Sequence, residues 1–465
     1  MAANEDPVVL VHGFAGWGRE EMGGGLYKYW GANQGDLQQY IEQHYTNQPV
    51  YTAAVGPVSS NWDRAVELYF QIKGGCIDYG DAHASAHGHA QFPVFGESTY
   101  SGWKGEHGGY AGSNGEVCFT GLYPAWDASH PIHLVGHSMG GQTIKMLTHI
   151  LEAGVSGAKI GGIAASASSQ MTHAGNQNNN VPSPFTGGKV GWIKSVTTIS
   201  SPLNGTVLVN VLNSYTDYLA NIVGGFAGFA GLVGGDEWLY DFKLNQWGLA
   251  RQANESYGDY QNRVLNSPIF NGQVTDASGN INCPYCDLSD WSLSPDGAKE
   301  ENDWVTTRPG VFYFSIQTRS TYTSAVCNEF EGFTCRRWEF PTVNVPVFLE
   351  PMAFPGWPIR GEGNYKGNTK FRGQTLSTTI DHTWWKNDAV VPLRSQDHPV
   401  GAANASNNYV TYNGTPVAGK WNQRGVLKDL FGFDQIFSHL DITGMQSYYS
   451  INDYYYEQVN ILRGL

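Results

Sequence analysis

The chain has 465 residues, 41% hydrophobic and 15% charged, with 58 glycines, 15 tryptophans and 26 tyrosines; this composition excludes a disordered chain and is long enough to bury a sizeable core. A formal net charge of −14 argues against a nucleic-acid partner, because binding to a phosphate backbone is driven by Lys and Arg. Stable membrane insertion is not expected either: the most apolar window, Ile222 to Val233, is interrupted by glycines and falls short of the roughly 20 apolar residues of a spanning helix.

Taken in chain order, the first element is Val8-Val-Leu-Val11, a β-branched run that stops at His12-Gly13 and reads as a buried parallel strand feeding a functional loop. The opening before it, Met-Ala-Ala-Asn-Glu-Asp, has neither a basic start nor a signal-type apolar run, as expected of a mature form with an added methionine. The second strand is Ile132–Val135, followed by Gly136-His-Ser-Met-Gly-Gly141 and by Ile144, Leu147, Ile150 and Leu151 at helical spacing. The polar stretch Gln177–Asn180 reads as a surface loop. Ser195–Ile199 and Val311–Ile316 are the third and fourth strands. Strands alternating with helices predict an α/β fold on a mostly parallel sheet, and one domain over residues 1–465.

Six cysteines pair locally as Cys283 with Cys286 and Cys327 with Cys335, which leaves Cys76 for Cys118. No second Cys or His pair near Cys283 suggests zinc, and no thioredoxin-like setting suggests redox use. Three disulfides imply an oxidising compartment, hence a secreted protein.

Gly136-x-Ser138-x-Gly140 matches the nucleophile elbow, a strained strand-to-helix turn whose glycines remove clashing side chains. Five-residue matches of this kind arise by chance in a glycine-rich chain, so the strand before it and the helix after it carry the inference. The elbow puts the Met139 amide at a helix start, where an unsatisfied N–H can stabilise an oxyanion. The loop after the first strand commonly supplies the second donor, which makes the N–H of Phe14 the candidate. A serine hydroxyl needs a base, and histidine suits because it exchanges protons near neutrality. The order Ser, Asp or Glu, His places the base late, among His382, His398 and His439. His439 is preferred because Ser438–Ile442 is a loop opening into the final Tyr-rich segment. Asp388, between an aromatic run and Val390-Val391, is the acid that would hold the histidine tautomer. Each of these is singly an ordinary loop residue; as an ordered set they describe a serine hydrolase.

With these residues in place, the chain resembles the thermostable, alkaline-active triacylglycerol lipases of the zinc- and calcium-containing Bacillus and Staphylococcus type, members of the α/β-hydrolase superfamily. The resemblance spans nearly the whole chain and is densest in Val11–Met22, Ala54–Arg64, Asp78–Gly80 with His83 and His87–His89, and Tyr240–Leu249. It implies the same triad, Ser138, Asp388 and His439, and the same donors, Phe14 and Met139, although the family usually has glutamine at the latter position. It implies zinc held by Asp63, His83, His89 and a fourth ligand, Asp276, or Asn282 if the gap in the insertion between Pro268 and Asp287 shifts. Zinc-region insertions would cover 60–130 and 265–300. A calcium ligand falls on Asp441, but the loop after Gly444 lacks the expected second aspartate. The Gly- and Phe-rich segment Asn221–Gly235, within 207–250, takes the position of a lid; a buried helix pair fits the same composition. The expected function is a secreted carboxylic ester hydrolase, a triacylglycerol lipase or esterase acting on lipid or other esters, including at an oil–water interface. Polyester hydrolysis would use the same chemistry, and a catalytically silent adhesion protein on the same fold is the alternative of a different class.

Overall fold

The computed structural model describes residues 4–22, 25–45, 47–96, 103, 108–160, 163–164, 170–172, 180–182, 184–211, 240–271, 287–328, 334–341, 367–371, 374–404, 407–427, 437–445 and 450–465. Seven strands form the main sheet: β1 Val8–Val11, β2 Val50–Ala53, β3 Ile132–His137, β4 Ile193–Ile199, β5 Phe312–Gln317, β6 Tyr409–Thr411 and β7 Trp421–Val426. Their order across the sheet is β6-β7-β5-β4-β3-β1-β2, and every neighbouring pair is parallel. The four strands expected from sequence are all present, within one or two residues at their ends.

The alternation of side chains along a strand explains why β1 is apolar at every position. Val8 and Leu10 join one core, Val9 and Val11 the other. Each face of the sheet is covered by helices. On the Val9 side lie α2, Asn61–Lys73, and α4, Met139–Ala153, whose Ile144, Leu147, Ile150 and Leu151 are all fully buried. On the Val8 side lie α1, Leu37–His44, and the C-terminal helix Asn452–Arg463, through Leu37, Ile41, Tyr455, Val459 and Leu462. The short helix α3, Asp81–His87, follows α2.

Cys76 and Cys118 are joined by a disulfide across a small antiparallel sheet of Gly75–Cys76, Val117–Phe119 and Gly109–Ala111. Cys327 stands opposite Cys335 in the register of the hairpin Thr321–Asn328 with Thr334–Pro341. Cys283, Cys286 and the expected lid segment Asn221–Gly235 lie outside the described residues, as do residues 177–179 of the expected loop; Asn180 opens the short strand Asn180–Pro182, paired with Gln170–Thr172.

Candidate active site and metal centre

The site begins where β3 ends. Ser138 follows His137 directly and caps α4 with φ 55° and ψ −132°, a conformation that costs an L residue energy and persists only where the surroundings enforce it. The enforcement is visible at two glycines: a Cβ on Gly136 would lie 2.4 Å from the Gly140 carbonyl carbon, and one on Gly140 would lie 2.2 Å from the Val11 carbonyl oxygen. The Ser138 N–H donates to the Ile199 carbonyl at 2.9 Å, which fixes the turn to β4.

His439 and Asp388 reach the serine from loops far away in sequence. His439 Nε2 is 2.8 Å from Ser138 Oγ and its Nδ1 is 2.9 Å from Asp388 Oδ2. The acid is tied down by four donors. Val390 and Val391 N–H give to Oδ1 at 3.0 and 2.7 Å, and Thr318 Oγ1 and Gln396 Nε2 give to Oδ2 at 2.8 and 3.2 Å. Thr318 directly follows β5, and the chain that departs there returns beside it, Ser320 N–H donating to the Asn387 carbonyl at 3.0 Å. Asp388 thus sits at the carboxyl end of β5 although 70 residues separate it from Thr318. His439 and Asp388 are fully buried and Ser138 is 5% exposed, so the three groups interact in a medium where hydrogen bonds are strong.

Met139 is the first residue of α4, so its N–H precedes the helix's own ladder. The loop carrying Phe14 packs against the elbow so closely that a Cβ on Gly13 would fall 2.6 Å from Ser138 Cβ. Arg64, fully buried in α2, braces this loop: Nη2 donates to the His12 carbonyl at 2.6 Å, Nη1 to the Gly56 carbonyl at 2.7 Å and Nε to Thr143 Oγ1 of α4 at 2.9 Å. Asp441, the expected calcium ligand, accepts the Ser438 N–H at 2.6 Å and so shapes the His439 loop. Among the described residues it belongs to no cluster of metal-ligand side chains.

A second cluster gathers Asp63, His83, His89 and Asp287, whose ligand atoms all lie within 4.8 Å of one another. Asp276 lies outside the described residues; the fourth corner is filled by Asp287, eleven positions further on. Its side chain is brought in because Ser60 N–H donates to the Asp287 carbonyl at 3.1 Å and Ser60 Oγ to Oδ1 at 2.7 Å. The donor set fits a metal. His89 Nδ1 donates to the Ala90 carbonyl at 2.9 Å, leaving Nε2 as a lone pair 2.9 Å from Asp287 Oδ2, and neither of these buried atoms has a hydrogen-bond partner. Asp63 Oδ2 accepts from Gln246 Nε2 at 2.9 Å and the Trp247 ring stands edge-on to His89 at 5.0 Å. Such outer partners orient ligands. Burial pulls His83 down, but the Asp287 and Asp63 carboxylates outweigh it and raise the imidazole to about 9: the pocket favours a cation.

The profile of the family described as lipase-like, C-terminal domain matches residues 4–113 and 108–331. The chain belongs to this family. Among solved structures of similar proteins, EstA from Clostridium botulinum is 34% identical, with TM-score 0.72 over 100% of this chain and 88% of its own. Lipase 1 from Pelosinus fermentans is 35% identical, with TM-score 0.71 over 99% of both chains. The lipase of Staphylococcus hyicus is 28% identical over 97% of this chain, which spans only 57% of that protein's length. The lipase-like family assignment and the parallel sheet with its elbow agree on an α/β-hydrolase fold.

Sequence reasoning about this lipase-like chain missed Asp287, Arg64 and a buried pair, Tyr29 and His137. Asp287 carried a signal: it is the first acid after the insertion, next to a segment that bridges back to Ser59 through Leu288. Arg64 adjoins Asp63 inside the quoted motif, yet nothing in its spacing tells that it points into the core.

Proposed function

We propose that this chain hydrolyses carboxylic esters as a triacylglycerol lipase or esterase. The observation that carries the reading is the unbroken line of Ser138 Oγ, His439 and Asp388 at 2.8 and 2.9 Å with the serine held at φ 55°. His439 Nε2 takes the Ser138 proton as Oγ attacks the ester carbonyl. The N–H groups of Phe14 and Met139 receive the oxyanion. Collapse expels the alcohol, which takes its proton from His439; the same nitrogen then deprotonates a water that attacks the acyl-enzyme and frees the acid. Asp388, kept in place by its four donors, holds Nδ1–H toward itself throughout, so that Nε2 is always the nitrogen facing the serine.

Asp63, His83, His89 and Asp287 would hold one zinc, a mixed N/O set with four protein ligands. Such a closed site leaves no position for substrate, so its role is structural. The Cys76–Cys118 disulfide supports an oxidising, extracellular setting. No described helix is long and apolar enough to cross a membrane.

The test is an acyl-chain series on the intact protein, from soluble short-chain p-nitrophenyl esters to emulsified long-chain triacylglycerol. Hydrolysis of both ends of the series supports a lipase, and of soluble esters alone an esterase. A folded protein that cleaves no carboxylic ester overturns the proposal.

A further inference from the structure

Two buried polar side chains beside the triad have no part in the chemistry above. Tyr29 is 3% exposed and His137 fully buried, and they face each other at 2.6 Å, Tyr29 Oη to His137 Nδ1. His137 Nε2 lies 2.8 Å from the backbone carbonyl of His439. A carbonyl oxygen only accepts, so Nε2 carries the proton. Burial, with His439 close by, drives His137 well below the usual imidazole range, so Nδ1 is bare and accepts the Tyr29 hydroxyl proton. The Tyr29 oxygen in turn accepts the Gly13 N–H at 3.0 Å. His439 N–H donates to the Asp388 carbonyl at 2.8 Å. A continuous chain of hydrogen bonds therefore runs from Gly13 through Tyr29 and His137 to the backbone of both His439 and Asp388.

The far end of this chain is the loop that carries Phe14. The peptide plane holding the Phe14 N–H also holds the Gly13 carbonyl, and that oxygen accepts from His12 Nδ1 at 2.8 Å and from the Gly16 N–H at 3.1 Å. With its carbonyl held by His12 and Gly16 and the preceding N–H held by Tyr29, the Gly13 unit cannot rotate without breaking buried bonds. The Tyr29 ring is itself wedged edge-on against Trp17 and Trp30, with centroids 5.4 and 5.5 Å away. Two loops that must meet over one reacting carbon, the oxyanion loop and the base loop, are thus referenced to each other by side chains and not only through the sheet.

We propose that Tyr29 and His137 are positioning residues that register the oxyanion loop against the catalytic histidine, so that cutting their mutual bond slows turnover without weakening substrate binding. The proposal rests on the triad reading above. Tyr29→Phe removes one oxygen. His137→Gln places an amide N–H where Nε2 stood, keeping a donor to the His439 carbonyl, and removes the acceptor for Tyr29. Because both variants cut the same link, their effects should not multiply.

The experiment measures kcat and KM for a soluble ester, melting temperature, and the rate of Ser138 labelling by an alkyl phosphonate read by intact mass. The parent, Tyr29→Phe, His137→Gln and the double variant are compared. The expected result is a fall in kcat of about ten- to a hundredfold in each single variant, with KM within about twofold, since displacement of a catalytic group by about 1 Å costs about that much. Labelling should slow in parallel, and the double variant should be no slower than the worse single one. Single variants that melt lower yet keep the parental kcat would reduce the pair to a structural role and overturn the proposal, as would losses that multiply. If either variant fails to fold, the other decides by the same kcat and KM criterion. A parent that hydrolyses esters but is not labelled at Ser138 removes the triad reading, and the proposal with it; a labelled parent with indifferent variants overturns this proposal alone.

Discussion

His149 shows how a histidine in this protein is spent on architecture rather than chemistry. Its Nδ1 accepts the Thr306 N–H at 2.9 Å, and burial together with the nearby Arg308 lowers it from 6.5 to about 4. The folded state therefore binds fewer protons than the unfolded state between these values, so stability is complete above pH 6.5 and is lost as the pH falls toward 4. His149→Asn keeps an acceptor near the Nδ1 position and does not titrate. Urea unfolding from pH 7 to pH 4 should show a shallower loss of stability for this variant, by on the order of 3 kcal/mol across the range. Parallel curves for variant and parent would assign the acid sensitivity to other groups. At this scale the sequence was legible where residue types occur in a fixed order along the chain, as with Ser138, Asp388 and His439. It was silent where a side chain's partner is a backbone atom of a distant loop, as with Arg64 and the His12 carbonyl or His137 and the His439 carbonyl.

The strand, elbow and helix from Ile132 to Ala153 act as one element, and their local rule is steric. Gly140 has no space for a methyl group because the carbonyl oxygens of Val11, at the end of β1, and of His12, just beyond it, lie 2.2 and 2.7 Å from the position a Cβ would take. Gly140→Ala must push α4 away from β1 or undo the turn. We expect it to destabilise the protein by about 3 kcal/mol or more and to abolish ester hydrolysis in whatever still folds; thermal unfolding beside an activity assay checks both, and a variant with parental melting temperature and turnover would show that the elbow has slack. The central strands β1, β3, β4 and β5 were readable because burial on both faces makes them rich in β-branched and apolar residues, without a break in β1 and with a few polar positions in the other three. The pair β6 and β7 was not. Tyr409–Thr411 is largely exposed and Trp421–Val426 only half buried, so neither carries that signature; β7 is recruited by parallel pairing on β5 and by Asn422, whose Nδ2 donates to the Tyr313 carbonyl at 2.9 Å, and β6 by parallel pairing on β7.

Across the whole molecule, the cluster of Asp63, His83, His89 and Asp287 joins parts of the chain that the sheet alone does not connect: the start of α2, the α3 region and the segment at Asp287. Gln246 and Trp247 add the described stretch that begins at Tyr240 through their contacts with Asp63 and His89. Sequence order could not identify the fourth member of this cluster, because an insertion of unmatched length destroys the register by which spacing is read, and the decisive contact joins residues 227 positions apart. If zinc closes this centre, purified protein should contain about one equivalent by elemental analysis, and chelation should lower the melting temperature by several degrees before it lowers the rate at moderate temperature. Asp287→Asn should reproduce both the metal loss and the lower melting temperature, whereas Asp276→Asn should do neither. Metal content unchanged by Asp287→Asn would move the fourth ligand elsewhere.

We propose above all that Ser138, activated by His439, is the nucleophile of an ester hydrolase. The most direct measurement treats the parent and Ser138→Ala with an alkyl phosphonate, locates the adduct by mass spectrometry and follows hydrolysis of a soluble ester in the same samples. The elbow admits a small side chain, so Ser138→Ala should fold, take up no adduct and show only background hydrolysis, while the parent loses activity in proportion to modification of Ser138. Near-parental turnover in folded Ser138→Ala, or inactivation of the parent with the adduct on another residue, would contradict it.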